Sequence, residues 1–384
     1  MDISIAKSAP AALKTGMLVV GAYADGSLLP AAQAVDQAAG GALAAALKRG
    51  DLDEKAGSTL LFPALVGAAA ERVLLVSLGQ RAALGDRFRI STPPVARRDI
   101  SEDGTEKFLL ALQDGRHVES VFIPRTPHQT FCVSTQVGCA MGCAFCLTAT
   151  MGLVRNLTPG EIVGQVRVLA GALRLRESRF NIVFMGMGEP LHNYDATMAA
   201  VRILADDHGF GVHPRRITVS TVGLVPAIER LAREDVMPRL AVSLHAPTDE
   251  QRAVLVPLNR KYPIAEIIEA CRRFPPARRG RITFEYVLLA GVNDTPEDAR
   301  RLAALVKDLH VKVNLIPLNP ASGIPFERPS DERIDAFGGT LAERGITVMV
   351  RKSRGRDIRA ACGQLAVEGV RKSAGQRLAD AIRS

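Results

Sequence analysis

The sequence predicts an α/β protein: a small N-terminal α/β domain followed by a partial (β/α)6 barrel. Three observations carry this. From Phe131 onward, six strand-like runs alternate with helical stretches, as in a parallel sheet with crossover helices. Ahead of them, a stretch with paired prolines and mixed charge sets off a segment rich in Ala, Gly and Leu. With 47% hydrophobic residues, the 384-residue chain can fill more than one core.

In chain order, "GMLVVGAY" and "RVLLVSLG" are strand-like runs around the helical pattern of "AAQAVDQAAGGALAAALKRGD", which makes a separate small α/β domain over residues 1–80. Residues 81–115 read as a linker leading into the next domain. "KFLLALQDGRHVESVFIPR" is a hairpin turning at Asp114–Gly115. The barrel occupies 116–355. Its strands are "TFCVSTQ", "FNIVFMG", "RITVSTVG", "RLAVSLHA", "RITFEYVLLAG" and "KVNLIPLNP". Its helices include "TPGEIVGQVRVLAGALR", "YDATMAAVRILADDHG", "PAIERLARED", "PIAEIIEACRRF" and "TPEDARRLAALVKDLH", several opening on a Thr or Asp cap beside Pro or Glu. Residues 356–384 form a C-terminal segment after a basic strand exit. In such folds the active site lies at the C-terminal ends of the strands, where every polar motif below falls.

No apolar run approaches the ~18 residues that span a bilayer, and the N-terminus has no secretory pattern, so a soluble cytoplasmic protein is expected. Residues 1–80 hold six Lys/Arg against seven Asp/Glu; the other 304 hold 43 against 33. A basic C-terminal three-quarters favours an acidic partner, nucleic acid first. Aromatics make up only 4%, with no Trp, which disfavours a single-strand binder built on stacking.

"GCAMGCAFC" places Cys139, Cys143 and Cys146 at C-x3-C-x2-C directly after the first barrel strand, in a chain of six cysteines. In a reducing compartment, clustered thiols point to metal or catalysis. A structural zinc site wants four ligands, and Cys132 is the alternative fourth, although strand geometry aims it elsewhere. Three cysteines on one loop hold three irons of a [4Fe–4S] cluster and leave the fourth iron open. At later strand ends, Gly188 and Glu189 in "GMGEP" offer close backbone approach and an acceptor, and Ser220, Ser243, Leu244, His245 and Asn319 follow. Cys271 falls on the apolar face of a helix and reads as core.

The motifs "CVSTQVGCAMGCAFC", "FMGMGEPLHNYD", "ITVSTVGLVP", "LAVSLHAP", "NLIPLNP" and "RKSRGRDIRAACGQL", in this order over residues 86 to 370, resemble the RlmN/Cfr family of radical S-adenosylmethionine (SAM) RNA adenosine methyltransferases. The resemblance implies a radical SAM barrel and a [4Fe–4S] cluster on Cys139, Cys143 and Cys146, completed by SAM. It also implies SAM contacts from Gly188, Glu189, Ser220, Ser243, Leu244, His245 and Asn319, and two SAM molecules per turnover. One SAM methylates Cys362; a radical made from the other activates that methyl for addition to the base. Glu119 accepts the proton, and Cys132 attacks the sulfur of Cys362 to resolve the covalent adduct, leaving a transient disulfide. The implied targets are an adenosine in the peptidyl-transferase region of 23S rRNA and the adenosine next to the anticodon of tRNAs, methylated at C2. An electron donor, flavodoxin-like or other, is required. Alternatives are C8 methylation of the rRNA adenosine and a catalytically silent RNA-binding protein.

The basic run Arg351, Lys352, Arg354, Arg356 and Arg359 before Cys362 would lower a thiol pKa, grip phosphates, or both. Residues 1–80 resemble instead the N-terminal, non-catalytic domain of cytosolic leucine aminopeptidases. No peptidase activity is expected.

Overall fold

The computed structural model describes residues 9–80, 92–124, 129–175, 179–207, 209–275 and 280–365. The linker expected over 81–91 and the tail after Leu365 lie outside the described residues. The chain divides into two compact units, residues 1–91 and 92–384.

The first unit contains β1 (Leu18–Ala22), α1 (Pro30–Ala38), α2 (Ala42–Arg49), β2 (Thr59–Phe62) and β3 (Val73–Ser77). Its sheet has the order β1-β3-β2, with β1 parallel and β2 antiparallel to β3. Val35, Leu43, Val73 and Leu75 fill its own core. The N-cap of α2 is Gly41, which has no side chain to offer. Asp36 Oδ1 from α1 accepts the free Leu43 and Ala44 amides instead, at 2.7 and 3.0 Å.

The second unit opens with an antiparallel meander, β4 (Val95–Ile100), β5 (Glu106–Ala111) and β6 (His117–Ile123). The β5–β6 hairpin turns at Gly115 in the left-handed region, φ +78, as the Asp-Gly pair predicts. Next come β7 (Gln129–Cys132) and the short β8 (Gln136–Gly138), α3 (Leu147–Thr150) and β9 (Leu153–Asn156) around the cysteine loop. Then α4 (Pro159–Ala172), β10 (Phe180–Phe184), α5 (Tyr194–Ala205), β11 (Ile217–Thr221), α6 (Val225–Leu231) and β12 (Arg239–Ser243) follow. The chain continues through α7 (Asp249–Leu255), α8 (Ile264–Arg273), β13 (Ile282–Leu288), α9 (Pro296–Val306), β14 (Val311–Pro317), α10 (Asp331–Ala342) and β15 (Thr347–Val350).

The ten-stranded sheet runs β15-β14-β13-β12-β11-β10-β7-β6-β5-β4. The six strands expected from the sequence are β7 and β10 to β14, and each is parallel to its neighbour. A seventh parallel strand, β15, adds to β14 and delivers the chain to Arg351. Helices start where the caps predict: Thr158 with Glu161 and Thr295 with Asp298 each form a reciprocal capping box, and Pro stands in the first turn of both helices. Phe131, Phe184, Phe284, Tyr286 and Phe337 are among the fully buried side chains of this unit.

Candidate active site

The cysteine loop is held by backbone. Gly138, at φ +75, presses so closely on the Gly152 carbonyl that a Cβ there would lie 1.8 Å from the oxygen. Cys139 N donates to Gly152 O at 3.0 Å, and Ala144 N to Leu255 O at 3.0 Å. The "GMGEP" turn is packed the same way. A Cβ on Gly186 would meet Val133 O and Ser134 Oγ at 2.7 Å, and one on Gly188, at φ +100, would meet Gln136 Cβ at 2.5 Å. Both glycines are therefore demanded by protein packing, where the sequence suggested ligand approach.

Two polar side chains lock this end of the sheet. Gln165 Oε1 accepts from Ser120 Oγ and Ser134 N, while its Nε2 donates to Ser134 O. Arg252, fully buried, donates to the carbonyls of Val222, Ser243 and Leu244 and to Asn259 Oδ1, tying the tips of β11 and β12 together. Burial pushes its guanidinium down to about 10, so it stays charged at neutral pH.

Over these tips lies a cavity of about 150 Å³. Cys139, Cys143 and Cys146 line it together with Gly188, Glu189, Ser220, Ser243, His245, Asn319 and Cys362. Leu244 differs: its side chain belongs to the main core and its carbonyl serves Arg252. Glu189 accepts from Leu191 N at 3.0 Å and Val222 N at 2.9 Å, and burial pushes its carboxyl up to about 7. Ser220 and Ser243 hydroxyls stand 3.4 Å apart.

His245 sits in the left-handed region, φ +63. Its Nδ1 accepts from Val287 N at 3.0 Å, so the neutral ring carries its proton on Nε2. Burial, then Arg252, holds its pKa down at about 3. Phe145 packs edge-on against the ring.

Cys362 reaches this cavity because its segment docks on the cysteine loop: Leu147 N donates to Gly363 O at 2.7 Å and Thr148 Oγ1 to Leu365 O at 2.5 Å. Arg351 Nη1 lies 3.6 Å from Cys362 Sγ and 3.8 Å from Glu285 Oε2. Asn314 Nδ2 donates to the other oxygen, Glu285 Oε1, at 2.9 Å. Of the basic run, only Arg351 meets Cys362 in this way. Arg354 faces Asp103 at 3.9 Å, and Lys352, Arg356 and Arg359 are exposed.

A second cavity of about 550 Å³ runs inside the barrel. It is lined by Cys132, Thr218, Thr283, Glu285, Lys312, Asn314, Arg351 and, again, Cys362. Cys362 and Asn319 thus stand on the wall between the two spaces, and Cys132 lines only the inner one. Burial pushes the Cys132 thiol up to about 12, with Cys362 adding to the rise and Arg351 opposing it.

Glu119 lines neither cavity. Its strand register puts it on the inner face with Ile123 and Cys132, since Val121 pairs with Cys132 and Ile123 with Thr130. It is buried, however, with Oε1 3.0 Å from Lys107 Nζ. Cys271 lies on α8 in the core and also lines a third cavity with Arg239 and Arg281.

Three cysteines on one loop fit three irons of a [4Fe–4S] cluster. Among the described residues, no three His, Cys, Asp or Glu side chains are placed to hold one metal ion. A four-iron cluster spreads its thiolates over separate irons. Burial raises the pKa of all three thiols, Cys139 to about 12, and the neighbouring cysteines add to each rise. Such a trio calls for a cationic group between its sulfurs. Facing it, Asn319 Oδ1 is buried without a hydrogen bond, as an acceptor awaiting a polar ligand is.

Sequence reasoning missed Arg252, Glu285 and Gln165. In "DEQRAVL" and "FEYVL" such residues read as surface charge, and nothing local marks them as buried.

The radical SAM superfamily model matches residues 133–303, and that of the cytosol aminopeptidase family N-terminal domain matches residues 19–113. The latter match runs past the boundary between the units, yet β4 and β5 pair within the large sheet. The dual-specificity RNA methyltransferase RlmN of Anaeromyxobacter sp. (strain Fw109-5) is 51% identical over 308 residues, 79% of this chain and 81% of the relative. That of Geobacter sulfurreducens is 53% identical over 282 residues, 73% and 77%. A radical SAM methyltransferase crystal structure from Sphaerobacter thermophilus matches with TM-score 0.71 at 54% identity, covering 74% of this chain and 84% of that one.

Proposed function

We infer that this chain, which belongs to the RlmN family of radical SAM RNA methyltransferases, methylates C2 of adenosine in 23S rRNA, in the peptidyl-transferase region, and next to the anticodon in tRNAs. The observation that carries the reading is the position of Cys362, on the wall between the cavity of the three cluster cysteines and the cavity of Cys132. A one-carbon carrier needs that placement, open to the methyl source on one side and to a second thiol on the other.

Cys139, Cys143 and Cys146 would hold the [4Fe–4S] cluster. Glu189, Ser220, Ser243, His245 and Asn319, with the Gly188 backbone, would hold SAM. Together these groups supply a methyl and the one-electron chemistry that activates it. Cys362 takes the methyl, with the Arg351 guanidinium beside its sulfur. The resemblance assigns the proton released from the adenine carbon to Glu119, which here is buried against Lys107 and lines neither cavity. Cys132 then attacks the sulfur of Cys362 and frees the RNA, leaving a Cys132–Cys362 disulfide. Exposed Lys352, Arg356 and Arg359 grip phosphates.

A flavodoxin-like protein or other electron donor serves the cluster. The enzyme works in the cytoplasm with its RNA. Among the described residues, no helix is long and apolar enough to cross a membrane. We assign 1–80 to an aminopeptidase-like domain, 81–115 to the linker and start of the methyltransferase, 116–355 to the core and 356–384 to the segment bearing Cys362.

The test is nucleoside mass spectrometry of 23S rRNA fragment and tRNA after reaction with reconstituted enzyme, SAM and reductant. 2-Methyladenosine is expected; 8-methyladenosine, or no methylated adenosine, contradicts the assignment.

A further inference from the structure

We propose that the inner cavity is the access route for a small anionic thiol, which reopens the Cys132–Cys362 disulfide by attacking Cys132 and expelling Cys362 as the thiolate beside Arg351. This rests on the reading that turnover ends in that disulfide.

A thiolate can attack either sulfur of a disulfide, and the faster path expels the better-stabilised thiolate. The two sulfurs here are unequal. Cys362 Sγ lies 3.6 Å from the Arg351 guanidinium, which Glu285 holds from behind. Cys132 is only 7% exposed, at the end of β7 between fully buried Phe131 and Val133. Burial pushes its thiol up to about 12, which makes it the poorer leaving group. Cys362 is the more exposed sulfur, but attack there would have to expel the buried Cys132; attack at Cys132 expels the sulfur beside Arg351, and of the two cavities Cys132 lines the inner one. The nucleophile must come from that side.

The cavity also selects the nucleophile. A sulfur so enclosed is beyond the reach of a dithiol carried on the surface of another protein, whereas a cavity of about 550 Å³ admits a small molecule. Its wall carries four cations, of which Arg351 faces Glu285 and Arg354 faces Asp103, so that Lys312 and Lys352 give it a positive balance. That balance draws in an anionic thiol. The first thiol forms a mixed disulfide on Cys132 and releases Cys362. A second attacks the outer sulfur of that mixed disulfide and releases Cys132. The protein disulfide plus two small thiols thus gives two protein thiols plus one small disulfide, with both protons supplied by the incoming thiols.

The test uses full-length holoenzyme. Peptide mass spectrometry first asks whether one turnover without thiol leaves the disulfide; its absence would overturn the functional reading. The thiol step is read separately, on holoenzyme oxidised with diamide, so it is decided either way. Oxidised protein is mixed with 3-mercaptopropionate, 2-mercaptoethanol or cysteamine, acid-quenched and mapped, with rates normalised to thiolate concentration. The expected result is the mixed disulfide on Cys132 with Cys362 free, and a rate for the anionic thiol on the order of tenfold above that for the cationic one. Lys312→Glu should narrow or invert that ratio. A mixed disulfide on Cys362, equal rates for the three thiols, or reduction by thioredoxin but not by small thiols would overturn the proposal.

Discussion

Arg351 holds a guanidinium nitrogen 3.6 Å from the sulfur of Cys362, at the point where the last parallel strand hands the chain to its C-terminal segment. Glu285 holds that guanidinium beside the sulfur that must attack a methyl donor. At an exposed thiol such a contact is worth about 1 kcal/mol. Arg351→Met should slow S-methylation of Cys362 by about fivefold, and Arg351→Lys should recover part of the loss. Peptide mass spectrometry of Cys362 over time reads this directly; an unchanged rate would remove Arg351 from the chemistry.

Arg252 concerns stability. Its guanidinium satisfies three carbonyls and Asn259 in a fully buried setting. Arg252→Met keeps much of the volume but leaves those acceptors without donors. A loss of about 3–5 kcal/mol is expected, seen as a lower thermal midpoint in cluster-free protein. A midpoint within a degree or two of the parent would show that the strand tips do not depend on it.

His245 gives a pH signature. Its folded pKa of about 3 lies below the unfolded value near 6.5. Below pH 6.5 the unfolded chain takes up a proton that the folded chain refuses, so stability falls as pH falls, until about pH 3. Between pH 7 and pH 5 the expected loss is about 2 kcal/mol. His245→Asn tolerates the left-handed backbone and keeps an oxygen for Val287 N, but does not titrate. Denaturation without SAM at pH 7 and pH 5 should show the parent losing that much more than the variant. Parallel losses would contradict the buried neutral imidazole.

Much of this site was legible because its chemistry is local in sequence. The cysteine spacing, the "GMGEP" turn and the "AACGQL" segment each carry their residue types within a few positions. Thr158 and Thr295 likewise announce their own helices. What was not legible depends on contacts between distant elements. The Glu119–Lys107 pair exists because of the β5–β6 register, which sets Lys107 opposite Val121. Arg252 looks like helix surface until three strand-tip carbonyls turn toward it. Gly188 borders the cavity, but what demands a glycine there is Gln136, against which a Cβ would press.

The division of labour between the two thiols is the centre of the account, and trapping tests it most directly. Cys132→Ala holoenzyme, incubated with SAM, reductant and RNA, should accumulate a covalent protein–RNA adduct, and mapping should place the linkage on Cys362. Cys362→Ala should keep its cluster absorbance and form neither adduct nor product. Normal methylated product from Cys132→Ala with no adduct, or an adduct linked elsewhere than Cys362, would contradict the assignment.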